Sequence, residues 1–159
     1  MEFIYSEFFG LLAILFGFIV GLGAVTVIDI HGFLGRTSSY WTVATTRTHK
    51  VTKPLIWIGT LSSLVGAYFW YVPENGFNDT FQIHLLVSII LILNGLFLSF
   101  VVSPFLIQKE KKGRDKELLP TSIQIKILAS FLVSFVGWWF LVFLFAYTTY
   151  EGYIAIFIE

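Results

Sequence analysis

The chain has no cysteine among its 159 residues, which excludes disulfides, thiolate metal ligation and cysteine nucleophiles. It is also poor in charge. Asp, Glu, Lys and Arg make up 13% of it, about half the roughly 25% usual in soluble domains. Ten basic and ten acidic residues cancel to a formal net charge of zero, so no global field attracts nucleic acid. Polar sequence is scarce as well: the longest polar stretch is about two dozen residues, too short for a soluble domain. Enzyme signatures are missing. The one glycine pair with loop-like spacing, Gly21-Leu22-Gly23, lies inside an apolar run, no serine stands in a nucleophile-elbow context, and no paired carboxylates share a cleft-like setting.

What the chain has in abundance is apolar length. Hydrophobic residues are 57% of the sequence and concentrate in four runs, residues 8–28, 55–72, 81–107 and 123–147. The first is twenty-one residues without one charged side chain, and about 20 apolar helical residues cross the hydrocarbon core of a bilayer. These runs predict an all-α polytopic membrane protein, an antiparallel bundle of four transmembrane helices over about 8–30, 55–72, 81–107 and 122–147, forming one domain. Five Trp, seven Tyr and eighteen Phe suit that setting, since Trp and Tyr favour the headgroup level and Phe the acyl region. The N-terminal run follows Glu2 and Glu7 rather than a basic segment and exceeds the length of a signal-peptide core, so it reads as the first spanning helix.

Charge sets the expected orientation. Arg36, Arg47, Lys50 and Lys53 lie between runs one and two; Lys109, Lys111, Lys112, Arg114, Lys116 and then Lys126 lie between runs three and four. Glu2, Glu7, Glu74, Asp79, Glu151 and Glu159 occupy the other side without a Lys or Arg. The positive-inside rule puts the basic side in the cytoplasm and both termini outside it. Pro73-Glu74-Asn75-Gly76 predicts an outer turn, and Pro120-Thr121-Ser122 the start of the fourth helix. Residues 39–53 predict a helix that either continues through Pro54 into the second span or lies on the membrane surface, the continuous version being preferred.

Each run carries small residues at helical spacing: Ala13, Gly17 and Gly21; Gly59, Ser63 and Ala67; Gly95, Ser99 and Ser103; Ser130 and Ser134. Such ridges let helices approach closely. Intramolecular packing is the plain expectation, with a homodimer through the first ridge as the alternative. Asn94 is the one carboxamide deep in a span and is expected to hydrogen-bond another helix. Pro104 is expected to permit a bend in the third helix.

Few groups offer chemistry. Asp29 is expected at the cytoplasmic end of helix one as an ion pair with Arg36 or Lys53; the functional alternative joins Asp29, His31 and His49 as ligands of a divalent metal or as a proton-handling cluster. His31, His49 and His84 are the candidate haem b ligands, although His84 falls on the side opposite the other two. Its plainer role is an interfacial histidine paired with Glu7 or Asp79. No catalytic residue is indicated. The expected partners are the lipid bilayer and a second copy or a larger membrane complex, not nucleic acid.

Two stretches carry a resemblance. Gly21-Leu22-Gly23-Ala24-Val25-Thr26-Val27-Ile28-Asp29 resembles the end of helix one in small uncharacterised four-helix bacterial inner-membrane proteins, and Leu93-Asn94-Gly95-Leu96-Phe97-Leu98 through Val101-Val102-Ser103-Pro104 resembles their third helix. These are loosely similar to CopD-like and related four-helix domains of unknown function. The resemblance spans roughly residues 10–107 and implies a fold and a bacterial inner membrane, but no reaction. Where those proteins often have a Lys near the start of helix three, this chain has His84. Three functions compete on this basis: a non-enzymatic accessory or assembly component, a haem- or metal-binding redox protein, and a subunit of an oligomeric transporter.

Overall fold

The computed structural model describes residues 2–158, with side chains at all of these except 2–4, 73–75, 153 and 155–158. Among the described residues there is no strand, and four helices make up the fold. Helix α1 covers 2–34, α2 Ser39–Asn75, α3 Asp79–Lys111 and α4 Thr121–Ile158. All four are long and apolar enough to cross a membrane. In hydrocarbon no water can satisfy a peptide group, so runs of this length close their hydrogen bonds internally as helices. The protein is an all-α membrane protein, an antiparallel bundle in which α1 packs on α2, α2 on α3, α3 on α4, and the second half of α1 on α4.

Local chemistry sets the helix ends. After α2, Gly76 takes φ +62, a conformation that favours glycine. Asn78 then caps α3: its Oδ1 accepts from the Phe81 amide at 2.8 Å, while its Nδ2 donates to the Tyr71 carbonyl at 3.0 Å. The turn is therefore Gly76–Asn78, later than the Pro73 cluster suggested, because a proline after the first turn of a long helix does not by itself end it. Gly113, at φ +67, turns the chain out of α3. The Pro120 carbonyl accepts the amides of Ile123 and Gln124 at the start of α4.

Residues 39–53 continue without a break into the second span. That segment is rich in threonine, and Thr42, Thr45, Thr46, Thr52 and Thr60 are all buried. The hydroxyls of Thr45, Thr46, Thr52 and Thr60 donate to the carbonyl four residues back, at 2.7–3.1 Å, so their polarity is satisfied within α2. Thr42 donates to the Gly35 carbonyl at 2.8 Å and ties the start of α2 to the end of α1. At 37 residues and about 1.5 Å per residue, α2 is about 55 Å long, against a hydrocarbon core of about 30 Å.

Two π-helical turns interrupt the α-helices, Phe18–Leu22 in α1 and Leu98–Val102 in α3. In α1 the Thr26 hydroxyl donates to the Leu22 carbonyl at 2.7 Å. In α3 the turn precedes Pro104, which has no N–H to offer the carbonyl four residues earlier, and the wider turn absorbs that mismatch.

The core runs along the bundle axis through Ile14 and Phe18, Ala67 and Tyr71, Phe81 and Leu91, and Trp138, Leu141 and Phe145. A smaller cluster of Val102, Leu106, Leu119 and Ile123 fixes the 112–120 loop against α3 and α4. The helix-one ridge is used inside the chain. A Cβ on Gly17 would lie 2.6 Å from the Ser63 amide, and one on Gly59 2.3 Å from the Gly21 Cα. Gly21 faces Trp138 as well. The ridge that suggested a dimer face is covered by α2 and α4.

Candidate functional site

Asp29 stands in the last turns of α1, where apolar neighbours continue the helix to Leu34. A helical Cα–Cβ bond tilts toward the helix N-terminus, so the carboxyl is directed back into the bundle rather than toward the basic loop. It lines a small cavity with Thr60 of α2, Asn94 of α3 and Ser134 of α4, walled by Val25, Ile56, Leu91, Leu98 and Trp138. The space open to water centres is about 30 Å³, and one water needs roughly 10–15 Å³ on that measure.

Hydrogen bonds fix the far wall. Asn94 Nδ2 donates to the Ser130 carbonyl at 3.1 Å and to Ser134 Oγ at 2.8 Å, tying α3 to α4 as its depth in the span led one to expect. Thr60 donates to the Ile56 carbonyl at 2.8 Å. Asp29 Oδ2 is buried and has no hydrogen-bond partner. The expected ion pair with Arg36 or Lys53 is not formed. Arg36 lies over the Phe33 ring at 4.2 Å and donates to the Phe33 carbonyl. Among the described residues the two ion pairs are Lys50–Glu110 and Arg114–Glu117. The correction has a simple cause: α1 is helical through this point, so its periodicity and not sequence proximity decides which way Asp29 faces.

The histidines have separate surroundings. His31 Nδ1 meets Thr48 Oγ1 at 3.1 Å, and its ring stacks on Trp41 at 5.1 Å. His49 Nε2 is buried without a partner. Among the described residues no three His, Cys, Asp or Glu side chains group closely enough to hold a metal ion, so Asp29, His31 and His49 are not gathered into one ligand set. His84 is 0% exposed, enclosed by neighbouring helices. Its Nε2 meets Ser63 Oγ at 3.3 Å, its ring packs on Tyr71 at 5.9 Å, and its Nδ1 has no partner. Neither Glu7 nor Asp79 takes the role expected of it. A haem iron at His84 Nε2 would have to displace the Ser63 hydroxyl.

Thr60 and Ser134 are the members of this site that sequence reading did not assign. Ser134 belongs to the small-residue ridge of the fourth run and Thr60 to no ridge; that both line the cavity with Asp29 depends on helix rotation.

Outside the spans, Arg114 Nε donates to both Glu117 carboxylate oxygens, at 2.9 and 2.8 Å. This contact holds the Glu117 carboxyl below its usual range.

The bundle defines a polytopic all-α membrane protein with a small polar cavity between its helices. Compared with known protein families, with curated proteins and with solved structures, the chain matches none.

Proposed function

We propose that this chain is a non-enzymatic accessory or assembly component of a bacterial inner membrane, with its basic end in the cytoplasm and both termini outside. One observation carries the reading: α2 outruns the bilayer core by several turns at the basic end, and that extension is braced against α3. Lys50 Nζ lies 2.8 Å from Glu110 Oε2, and Tyr40, Arg47 and Lys116 line a wide groove beside it. A rigid, basic helical platform at a membrane surface presents positive charge to an acidic partner segment or anionic headgroups. The orientation rests on the positive-inside rule, and the inner membrane on the resemblance of residues 10–107 to small bacterial four-helix proteins.

Two experiments test this. Single cysteines at Ser39, Phe77 and Lys112, each exposed, are labelled in intact cells and in inverted vesicles; the reagent should reach Phe77→Cys from outside and the other two from the cytoplasm. Photocrosslinking from Arg47, read by native mass spectrometry in mild detergent, should give an adduct with a second membrane chain or a second copy, and Arg47→Glu should abolish the association. A strictly monomeric protein without adducts would overturn the reading. A Soret band in protein purified from haem-replete cells would favour the haem alternative instead.

A further inference from the structure

We propose that Asp29, Thr60 and Asn94 form a binding site for one monovalent cation inside the bundle, independently of what the basic end does.

Hydrogen atoms decide what this cavity accepts. Both Nδ2 hydrogens of Asn94 are engaged by Ser130 and Ser134, and the Thr60 hydroxyl hydrogen by the Ile56 carbonyl. These side chains therefore offer the cavity oxygen lone pairs, next to a carboxylate whose Oδ2 is buried without a partner. Ser134 Oγ also accepts from Asn94 and keeps its own hydrogen, but a neutral hydroxyl does not balance a carboxylate, and a buried unpaired charge is costly. No basic side chain supplies the balancing charge. No Lys, Arg or His of α2, α3 or α4 lines the cavity, His31 is turned to Thr48 and Trp41, and Arg36 to Phe33.

The ligand class follows from the donor set. Every polar group at the wall offers oxygen, which suits hard cations and not soft ones. One carboxylate balances one unit of charge; a divalent ion would keep an uncompensated charge in an apolar surrounding. A volume of about 30 Å³ admits one ion or one or two waters, not an organic cation. Sodium ion and the proton share this chemistry.

The test uses the full chain in detergent, with dicyclohexylcarbodiimide as a probe that couples to protonated carboxyls and peptide mass mapping to locate the product. Asp29 should be modified. If sodium is the occupant, NaCl at about ten times its dissociation constant should slow the reaction roughly tenfold, whereas N-methylglucamine chloride at equal ionic strength should not. If the proton is the occupant, the rate follows pH and ignores sodium. Thr60→Val removes a cavity-facing oxygen while keeping a branched side chain, and should weaken the sodium protection or displace the pH profile severalfold without lowering the melting temperature by more than a few degrees. Modification of Asp29 that is indifferent to both sodium and pH would overturn the proposal. So would complete resistance of Asp29 under every condition, or a Thr60→Val protein that behaves as the parent.

Discussion

Where α1 meets α2, backbones touch: Gly10 lies against the Trp70 and Phe69 backbone, Gly17 against Ser63, Gly59 against Gly21 and Gly66 against Ile14. Where α3 meets α4, side chains make the join, through the Asn94 amide on Ser130 and Ser134 and the Leu91 side chain over Gly137. The first seam includes the hydrogen bond from Ser62 Oγ to the Ala13 carbonyl at 2.9 Å and, toward the basic end, that between His31 Nδ1 and Thr48 Oγ1 at 3.1 Å. Lipid tails are as apolar as leucine, so neither seam gains from expelling water. The first is held by dispersion between closely apposed helices, the second by polar groups that hydrocarbon cannot satisfy. Backbone cannot step aside, whereas a side chain can rotate, so the two seams should respond very differently to added volume.

The largest expected effect is at the backbone seam. A Cβ at position 59 would sit 2.3 Å from the Gly21 Cα, so Gly59→Val must push α1 and α2 apart. A loss of about 3 kcal/mol is expected, measured as a fall in unfolding free energy in mixed micelles. A variant that loses less than about 1 kcal/mol would mean the helices slide past the obstacle, and the contrast between seams would fail. Next in size is Asn94→Leu, which removes two interhelical hydrogen bonds; such bonds are worth about 0.6 kcal/mol on average and up to about 1.7 in membrane helices. A loss of about 1 kcal/mol is therefore expected. A loss equal to that of Gly59→Val would show that the polar join, and not close approach, holds the bundle.

Smaller still is Gly137→Ala. Its Cβ would meet the Leu91 Cδ2 at 2.8 Å, the far end of a side chain that can turn away, and a cost below about 1 kcal/mol is expected. Gly23→Ala should change sign. No atom lies within 4 Å of the new Cβ, and replacing a helical glycine should gain about 0.5 kcal/mol. Thermal melts of these two variants beside Gly59→Ala, whose Cβ already meets the Gly21 backbone, would separate backbone contact from side-chain contact with one and the same substitution.

Much of this architecture could be read from the chain. Four apolar runs define four membrane-crossing helices because only a helix or a closed barrel satisfies its backbone in lipid. Asn94 announced a bond to another helix because an unsatisfied amide is costly there, and it makes one. The small-residue ridges announced close approach, and Gly17, Gly21 and Gly59 provide it. The fate of the titratable groups was less accessible. Arg36 is seven residues from Asp29 and looked like its partner; it lies past the end of α1, over the Phe33 ring, while Asp29 lines a cavity with Thr60 and Asn94. His84 looked like a partner of Glu7 or Asp79, but the rotation of α3 turns that side chain onto Ser63.

The sequence by itself determined that the chain crosses a membrane four times with its positive charge at one end, because hydropathy and charge are sums over local stretches and need no knowledge of neighbours. It also determined that the helices would approach closely, since a glycine lacks a Cβ in any context. Only the tertiary structure decided which glycines face which helix, that Asp29 turns an unpaired carboxylate oxygen inward, and that Thr60 and Asn94 share its cavity. Those facts depend on the rotation and register of four helices at once. A shift of one residue turns a side chain by about 100°, and it is packing among all four helices that selects the rotation.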